Sequence, residues 1–438
     1  MTQLGYVGPS VFGYETDSLR RLAAISVHTS PLATLGGKDA GGMNVYIREL
    51  SGHLARLGLP VDVFTRRTNP NAPETTQICD GVNQINITAG PEAPVDKNEL
   101  FQYLPEFAAQ AALYSVKQGV RYDVVHAHYW LSGWVAQLLK RYWDTPFVQM
   151  FHTTAAMKNA VSSPLNQETS KRAHTERLLV DLCDSLIAAN PDERAHLIWH
   201  QHSRSNKVCT IPPGVDLQLF RPQDQRESRS QLGINLDEKV VLFVGRIDPI
   251  KGIDTLLEAA EIMIAEKSSP TFLIVGGDTD ERGAPIGSLA EIESAARERG
   301  VAQSFRFLGS QPQDHLPTYY SAADVVAVPS LYESFGLAAI EAMACGTPVV
   351  ASRSGGLRFT VEDGRNGFLV PVCESRRLAR SLDRVLSDDP LRQRLSIGAL
   401  NSAQRFAWPS VAASILHVYQ RLAEGFRGDL CCDDEIFA

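Results

Sequence analysis

The sequence has no excess of basic charge. Its 42 Lys and Arg against 50 Asp and Glu give a formal net charge of −8, which argues against nucleic acid or an anionic membrane surface as the main partner but permits a local basic pocket. Its seven cysteines, at 79, 183, 209, 345, 373, 431 and 432, include no C-x-x-C pair and no Cys/His cluster with zinc spacing, so no metal site is predicted and reduced thiols are expected. No apolar run approaches the ~18 residues that cross a bilayer. The first 20 residues, MTQLGYVGPSVFGYETDSLR, have neither the basic nor the apolar region of a signal peptide. A soluble, cytoplasmic protein is expected. There is no sequence repeat and no low-complexity segment. No G-x-G-x-x-G opens a helix after a first strand, which speaks against a dinucleotide-dependent oxidoreductase.

What is present is an alternation. Short apolar, β-rich runs such as LAAISVH (22–28), VDVFTR (61–66), GVNQINIT (81–88), YDVVHAHY (122–129), FVQMFHT (147–153), SLIAAN (185–190) and KVCTIPPG (207–214) are separated by helical patterns such as LPEFAAQAALYSVKQG (104–119). A second set, VVLFVGR (240–246), PTFLIVGG (270–277), SFRFLG (304–309), DVVAVPS (324–330), TPVVAS (347–352) and NGFLVP (366–371), follows the Pro/Gly-rich stretch 211–222, which reads as a linker. Strand–helix alternation implies parallel sheets with helices on both faces, and 438 residues exceed one typical core. The fold class is therefore α/β, with two Rossmann-like doubly wound domains facing a cleft. The expected organisation is an extension (1–20), a first domain (21–212), a second domain (213–405), a C-terminal helix returning toward the first domain (406–425) and a tail (426–438). Ligands of such sheets bind beyond the carboxyl ends of the strands.

Four loops at such strand ends carry candidate chemistry. In SLYESFGLAAIEAMACG, Glu333 precedes a helix start and Glu341 lies two turns inside it. The amides of Ser334, Phe335, Gly336 and Leu337 then form a helix N-terminus, which favours an anion. Phosphates flanked by hydroxyls, as in a nucleotide-sugar, would satisfy both the amides and the carboxylates. In FVGRIDPIKGID, Arg246 and Lys251 follow a strand and can neutralise a diphosphate leaving group. In DAGGMNVYI, Gly41 and Gly42 let backbone amides approach a ligand closely. In FHTTAAMKN, His152 sits at a strand end. The D-x-D of GGDTDERG, Asp278 and Asp280, reads as a loop rather than a metal site. Taken singly, these residue types are more often ordinary surface or core groups.

Together, E-x7-E with SFG after its first glutamate, GR-x4-KG, DAGGMNVYI and FHTT resemble the motifs of the family-4 retaining glycosyltransferases, which have the GT-B fold. The resemblance spans roughly residues 22–425. It is strongest to the D-inositol-3-phosphate glycosyltransferases of mycothiol biosynthesis, with sucrose-phosphate synthases related. It implies that Glu341 binds ribose hydroxyls, Glu333 contacts the donor sugar, Arg246 and Lys251 bind the pyrophosphate, and His152 touches the sugar near its reacting carbon. It implies an acceptor phosphate held by Lys97, Tyr129, Thr153 and Arg172, with Asn44 also on the acceptor side; converging donors of this kind suit a phosphate dianion. Arg358 in GGLRFTV stands where a proline is usual.

The reaction so implied is transfer of a glucosyl or N-acetylglucosaminyl group, with retention, from a UDP-sugar to an inositol phosphate-like acceptor, without cofactor or metal. Transfer of glucose to fructose 6-phosphate, epimerisation of a nucleotide-sugar, and a non-catalytic binding role remain alternatives. The sequence leaves the donor sugar, the nucleotide and assembly as a homodimer open.

Overall fold

The chain is seen as a computed structural model that describes residues 19–33, 41–161, 167–426, 428 and 430–431. Residues 1–18 of the expected extension, Asp39 and Ala40 of the glycine loop, and residues 427, 429 and 432–438 of the tail, Cys432 included, lie outside the described residues.

The first sheet comprises β1 (Leu22–Ile25), β2 (Val61–Arg66), β3 (Thr75–Cys79), β4 (Val82–Ile87), β5 (Val124–His128), β6 (Phe147–Met150), β7 (Ser185–Ala188) and β8 (Val208–Thr210). Their order is β3-β4-β2-β1-β5-β6-β7-β8. Every pairing is parallel except that of β3 with β4. The parallel strands read as apolar runs because both faces are covered. In β1, Leu22 and Ala24 enter one core cluster while Ala23 and Ile25 enter another. The sequence reading missed β3, an edge strand with alternating exposed and half-buried positions and no apolar run.

The second half adds β9 (Val240–Val244), β10 (Thr271–Val275), β11 (Asp278–Thr279), β12 (Pro285–Ile286), β13 (Phe305–Phe307), β14 (Val325–Val328), β15 (Val349–Ser352) and β16 (Gly367–Val370). Six of these make a parallel sheet in the order β13-β10-β9-β14-β15-β16, and β11 and β12 form a separate antiparallel hairpin. That hairpin carries the D-x-D. Asp278 pairs across it with Ile286, and Asp280 Oδ1 accepts from the amides of Arg282 and Ala284, a turn in which its carboxylate caps the backbone.

The stretch 211–222 links the two sheets, and much of it is buried. Ile211, Val215 and Phe220 are buried. Val215 bridges to Ala407, and its amide donates to the Phe406 carbonyl at 2.7 Å. The two chain crossings between the sheets therefore run side by side. After the second crossing, the helix Trp408–Ala423 lies against the Gly42–Arg56 helix and β5 of the first sheet. Trp408 is buried over Gly214, where an added Cβ would lie 2.5 Å from the indole. Truncating Trp408 to Ala would cost about 3–5 kcal/mol. One apolar cluster runs from the first sheet through this helix to the second sheet. The six described cysteines are free, and among the described residues no helix is long and apolar enough to cross a membrane.

Candidate active site

The carboxyl ends of the two sheets face a shared cavity of about 420 Å³, lined by residues of both halves. The GR-x4-KG loop leaves β9 and is bent back by Gly252, whose φ is +71° and whose added Cβ would lie 2.0 Å from the Pro329 carbonyl oxygen. Only glycine fits there. The Leu331 amide donates to the Ile250 carbonyl at 2.8 Å, which ties this loop to the one after β14. The result is an ion pair: Lys251 Nζ donates to Glu333 Oε2 at 2.5 Å, both groups about four-fifths shielded from solvent. Arg246 is more open and stands 3.8 Å from Asp248.

Gly336, at φ +94°, turns the chain into the helix Leu337–Ala344. The first amides of that helix, at Leu337 and Ala338, have no carbonyl one turn back, and both residues line the cavity. Phe335 packs edge-on against Phe406, so its backbone rather than its ring faces a ligand. Glu341 lies within the helix and accepts from Tyr320 Oη at 2.8 Å. Burial pushes its carboxyl up to about 7.

The first half supplies a different wall. β5 and β6 are neighbours, with His128 beside Met150. Each strand is followed within two residues by a non-glycine residue held in the left-handed region: Tyr129 at φ +76° and His152 at φ +59°. Strain of this kind persists where the surroundings over-determine the backbone, as they do at functional sites. Burial, with His126 and His28 nearby, lowers the His152 imidazole to about 3, so the ring is neutral.

Arg172 is 2% exposed and already engaged. It donates to Glu176 (2.7 Å), Tyr129 Oη (2.9 Å) and the Thr153 carbonyl (2.5 Å), and pairs with Glu168 (3.0 Å). It thus braces Tyr129 and Thr153 and itself lines the cavity, as Asn44 does. Asn44 is spent in the same way. Its amide nitrogen donates to Thr29 Oγ1 and the Ser30 carbonyl, both at 2.6 Å, and its oxygen accepts from the Gly41 amide at 2.9 Å. It anchors the glycine loop. Gly42 then sits so close to Leu337 that an added Cβ would lie 2.8 Å from its Cδ1, while Gly41 lies beside Arg246. The Ser334 hydroxyl crosses the cleft to the His152 carbonyl (2.5 Å) and to Thr153 Oγ1 (2.8 Å). Lys97 lines the cavity.

Three cavity-facing or supporting groups escaped the sequence reading. Lys158 lines the cavity six residues after His152 and pairs with Glu168 at 2.6 Å. Glu168 stands four residues before Arg172, a spacing at which ion pairs form around a helix start. Burial works to raise its carboxyl, but Arg172 and Lys158 outweigh that and hold it below its ordinary value. His128 was visible in HAHY only as one of two alternate residues on a strand.

Residues 40–219 match the family Glycosyltransferase Family 4, and residues 224–401 match Glycosyl transferases group 1. Over 406 residues, 91% of this chain and 94% of the relative, the sequence is 42% identical to a D-inositol 3-phosphate glycosyltransferase of Corynebacterium diphtheriae. It is 41% identical to one of Thermobispora bispora over 93% of this chain and 96% of the relative. The chain belongs to the family 4 glycosyltransferases. It is an enzyme of glycosyl transfer, on the GT-B fold of two Rossmann-like domains. A solved sucrose-phosphate synthase of Thermosynechococcus elongatus superimposes on the enzyme with a TM-score of 0.85 at 36% identity, covering 93% of this chain and all of that one.

Proposed function

We propose that the enzyme moves a glucosyl or N-acetylglucosaminyl group from a UDP-sugar to a phosphorylated polyol resembling inositol phosphate, with retained configuration. The observation that carries this reading is one cavity with cationic or polar donors on both walls. Arg246, Lys251 and the amides at Leu337 stand on one wall, and Lys97, Lys158, Tyr129 and Thr153 on the other. The first group suits a diphosphate and the second a phosphate dianion. The curated relatives named D-inositol 3-phosphate glycosyltransferases support the inositol phosphate. Transfer to fructose 6-phosphate is the second reading, supported by the superposition on a sucrose-phosphate synthase.

In this reading the bond from the sugar's anomeric carbon to the β-phosphate oxygen breaks while a bond to the acceptor oxygen forms on the same face. The acceptor proton passes to the departing phosphate oxygen. Arg246 and Lys251 hold the developing charge, Glu333 orients Lys251 and meets the donor sugar, and Glu341 accepts from the ribose hydroxyls. The neutral His152 ring contributes a hydrogen bond, not a proton. Arg172 and Asn44 serve the acceptor side by holding Tyr129, Thr153 and the glycine loop in place. The cations and amides carry the charge without a resident metal, and activity is expected to survive chelation. We place this chemistry in the cytoplasm, where nucleotide-sugars and sugar phosphates meet.

The test is nucleotide release from UDP-glucose and UDP-N-acetylglucosamine, each with inositol phosphate, fructose 6-phosphate or no acceptor. Release that depends on inositol phosphate is expected. Release that depends on fructose 6-phosphate alone would replace the first reading with the second.

A further inference from the structure

A group of buried polar rings reaches His152 along the face of the first sheet that the Trp408–Ala423 helix covers. Tyr419 of the Trp408–Ala423 helix places its hydroxyl 2.6 Å from His126 Nδ1. His126 and His128 alternate on β5, so both side chains leave the same face. Their rings lie 4.1 Å apart at 41°. His128 Nδ1 then stands 3.1 Å from His152 Nε2. Tyr46 closes the group, its ring edge-on to both His128 and His152. His126, His128, Tyr46 and Tyr419 are each no more than 1% exposed. Two hydrogen bonds, Tyr419 to His126 and His128 to His152, are thus joined by the ring contact of His126 with His128, while His126 Nε2 and Tyr46 Oη are buried without a hydrogen-bond partner. Burying such groups costs stability, so the cluster calls for a role.

Neutral rings make the geometry restrictive. Each neutral imidazole has one N–H and one lone pair. Only one hydrogen can lie between His128 Nδ1 and His152 Nε2, so the two rings must hold the same tautomer, both Nδ1–H or both Nε2–H. Whichever ring donates, the state of the remaining His152 nitrogen, Nδ1, is set by His128 rather than by solvent. Burial, with the neighbouring histidines, lowers His128 well below its ordinary value, and burial lowers His126 to about 3. Neither ring can therefore escape the constraint by charging near neutral pH.

We infer that His128 is a positioning residue of the transfer reaction, fixing the ring orientation and tautomer of His152, with His126 and Tyr419 holding His128 in turn. This rests on the reading of His152 as a contact of the donor sugar. The side chain is built into the sheet, whereas the backbone of His152 sits on a strained turn. Without a partner the His152 ring would be free to rotate and to exchange tautomers.

The test uses the full chain with the substrate pair found by nucleotide release. H128F removes the hydrogen-bond partner but keeps a ring. H128N keeps a donor or acceptor near the position of Nδ1. For H128F, kcat should fall ~10- to 100-fold, as small misplacements in active sites do, with the donor KM little changed. H128N should restore most of the rate. In histidine-labelled protein, long-range ¹⁵N–¹H spectra should show His152 as one neutral tautomer in the wild type and as a mixture in H128F. Should H128F fail to fold, Y419F provides the same comparison, with a smaller loss of kcat and partial tautomer mixing. A single His152 tautomer and unchanged kcat in H128F, or in Y419F if that is the variant that folds, would overturn the inference. Equal losses in H128N and H128F with a lowered Tm would also overturn it, since they would mark a packing role. Full activity in H152A would instead remove the donor contact, while the tautomer spectrum would still decide whether His128 controls His152.

Discussion

The two walls of the cleft handle charge in opposite ways. On the first-domain wall, Arg172 is buried and its guanidinium is shared among Glu168, Glu176, Tyr129 and the Thr153 carbonyl. On the second-domain wall, Lys251 and Glu333 hold each other at the edge of the open cavity. The first arrangement is scaffold: its charges are satisfied before any ligand arrives. The second is poised: a diphosphate and a sugar can each take one partner of the pair. A cation in a cleft thus has two distinct roles, and burial together with the number of partners tells them apart.

That contrast breaks most sharply at Arg172. R172A leaves Glu168 and Glu176 without their shared cation, and losing one side of a buried pair costs about 3–5 kcal/mol. Urea unfolding should show a loss of that size, with the remaining activity falling in step with the folded fraction. A stable R172A with defective acceptor binding alone would move Arg172 into direct ligand contact. K251M should do the reverse. Removing one group that holds transition-state charge typically costs ~10²–10³ in rate, so kcat should collapse while Tm stays near that of the wild type. A K251M enzyme that is unstable but still turns over would cancel the distinction between the walls.

Glu341 sharpens the comparison through pH. Its carboxyl titrates near pH 7 because burial disfavours the charged form, yet accepting two ribose hydroxyls needs the carboxylate. Nucleotide affinity should therefore weaken about tenfold per pH unit below that value, since the ligand must drive the proton off. Calorimetric titration of UDP between pH 5.5 and 8 measures this, and E341Q should flatten the profile. The smallest effect is expected at Arg358, which pairs with Asp192 across the domains at 2.7 Å but is 48% exposed. R358A should change stability by no more than about 1 kcal/mol, and a larger loss would make this surface contact part of the closure.

Much of the frame was legible because parallel strands buried on both faces are written as apolar runs. Strands without such runs were not legible: β3 is an edge strand, and each strand of the β11–β12 hairpin has two residues. The stretch 211–222 reads as a linker because Pro and Gly dominate its start, and it does join the sheets, but its packing is not written locally. Its burial depends on Trp408, nearly two hundred residues away. At the site, the loops are recognisable because glycines and strand ends mark them. What a sequence cannot display is who already holds a donor. Arg172, Asn44 and Ser334 are donors by residue type, but their partners at Tyr129, Thr29 and His152 are set by the fold. Lys158 and His128 went unnoticed for the converse reason, since nothing local distinguishes a lysine or histidine that faces a cavity.

The return of the helix Trp408–Ala423 to the first sheet has a consequence for synthesis. The first sheet is translated early, but the helix that covers β5 and reaches His126 follows the whole second sheet in the chain. Until it emerges, the cluster around Tyr46, Ile47 and Leu50 lacks Trp408 and Ile415, and domains otherwise fold in the order they are made. The nascent first domain must therefore wait, with an apolar face exposed, for a piece encoded on the far side of its neighbour.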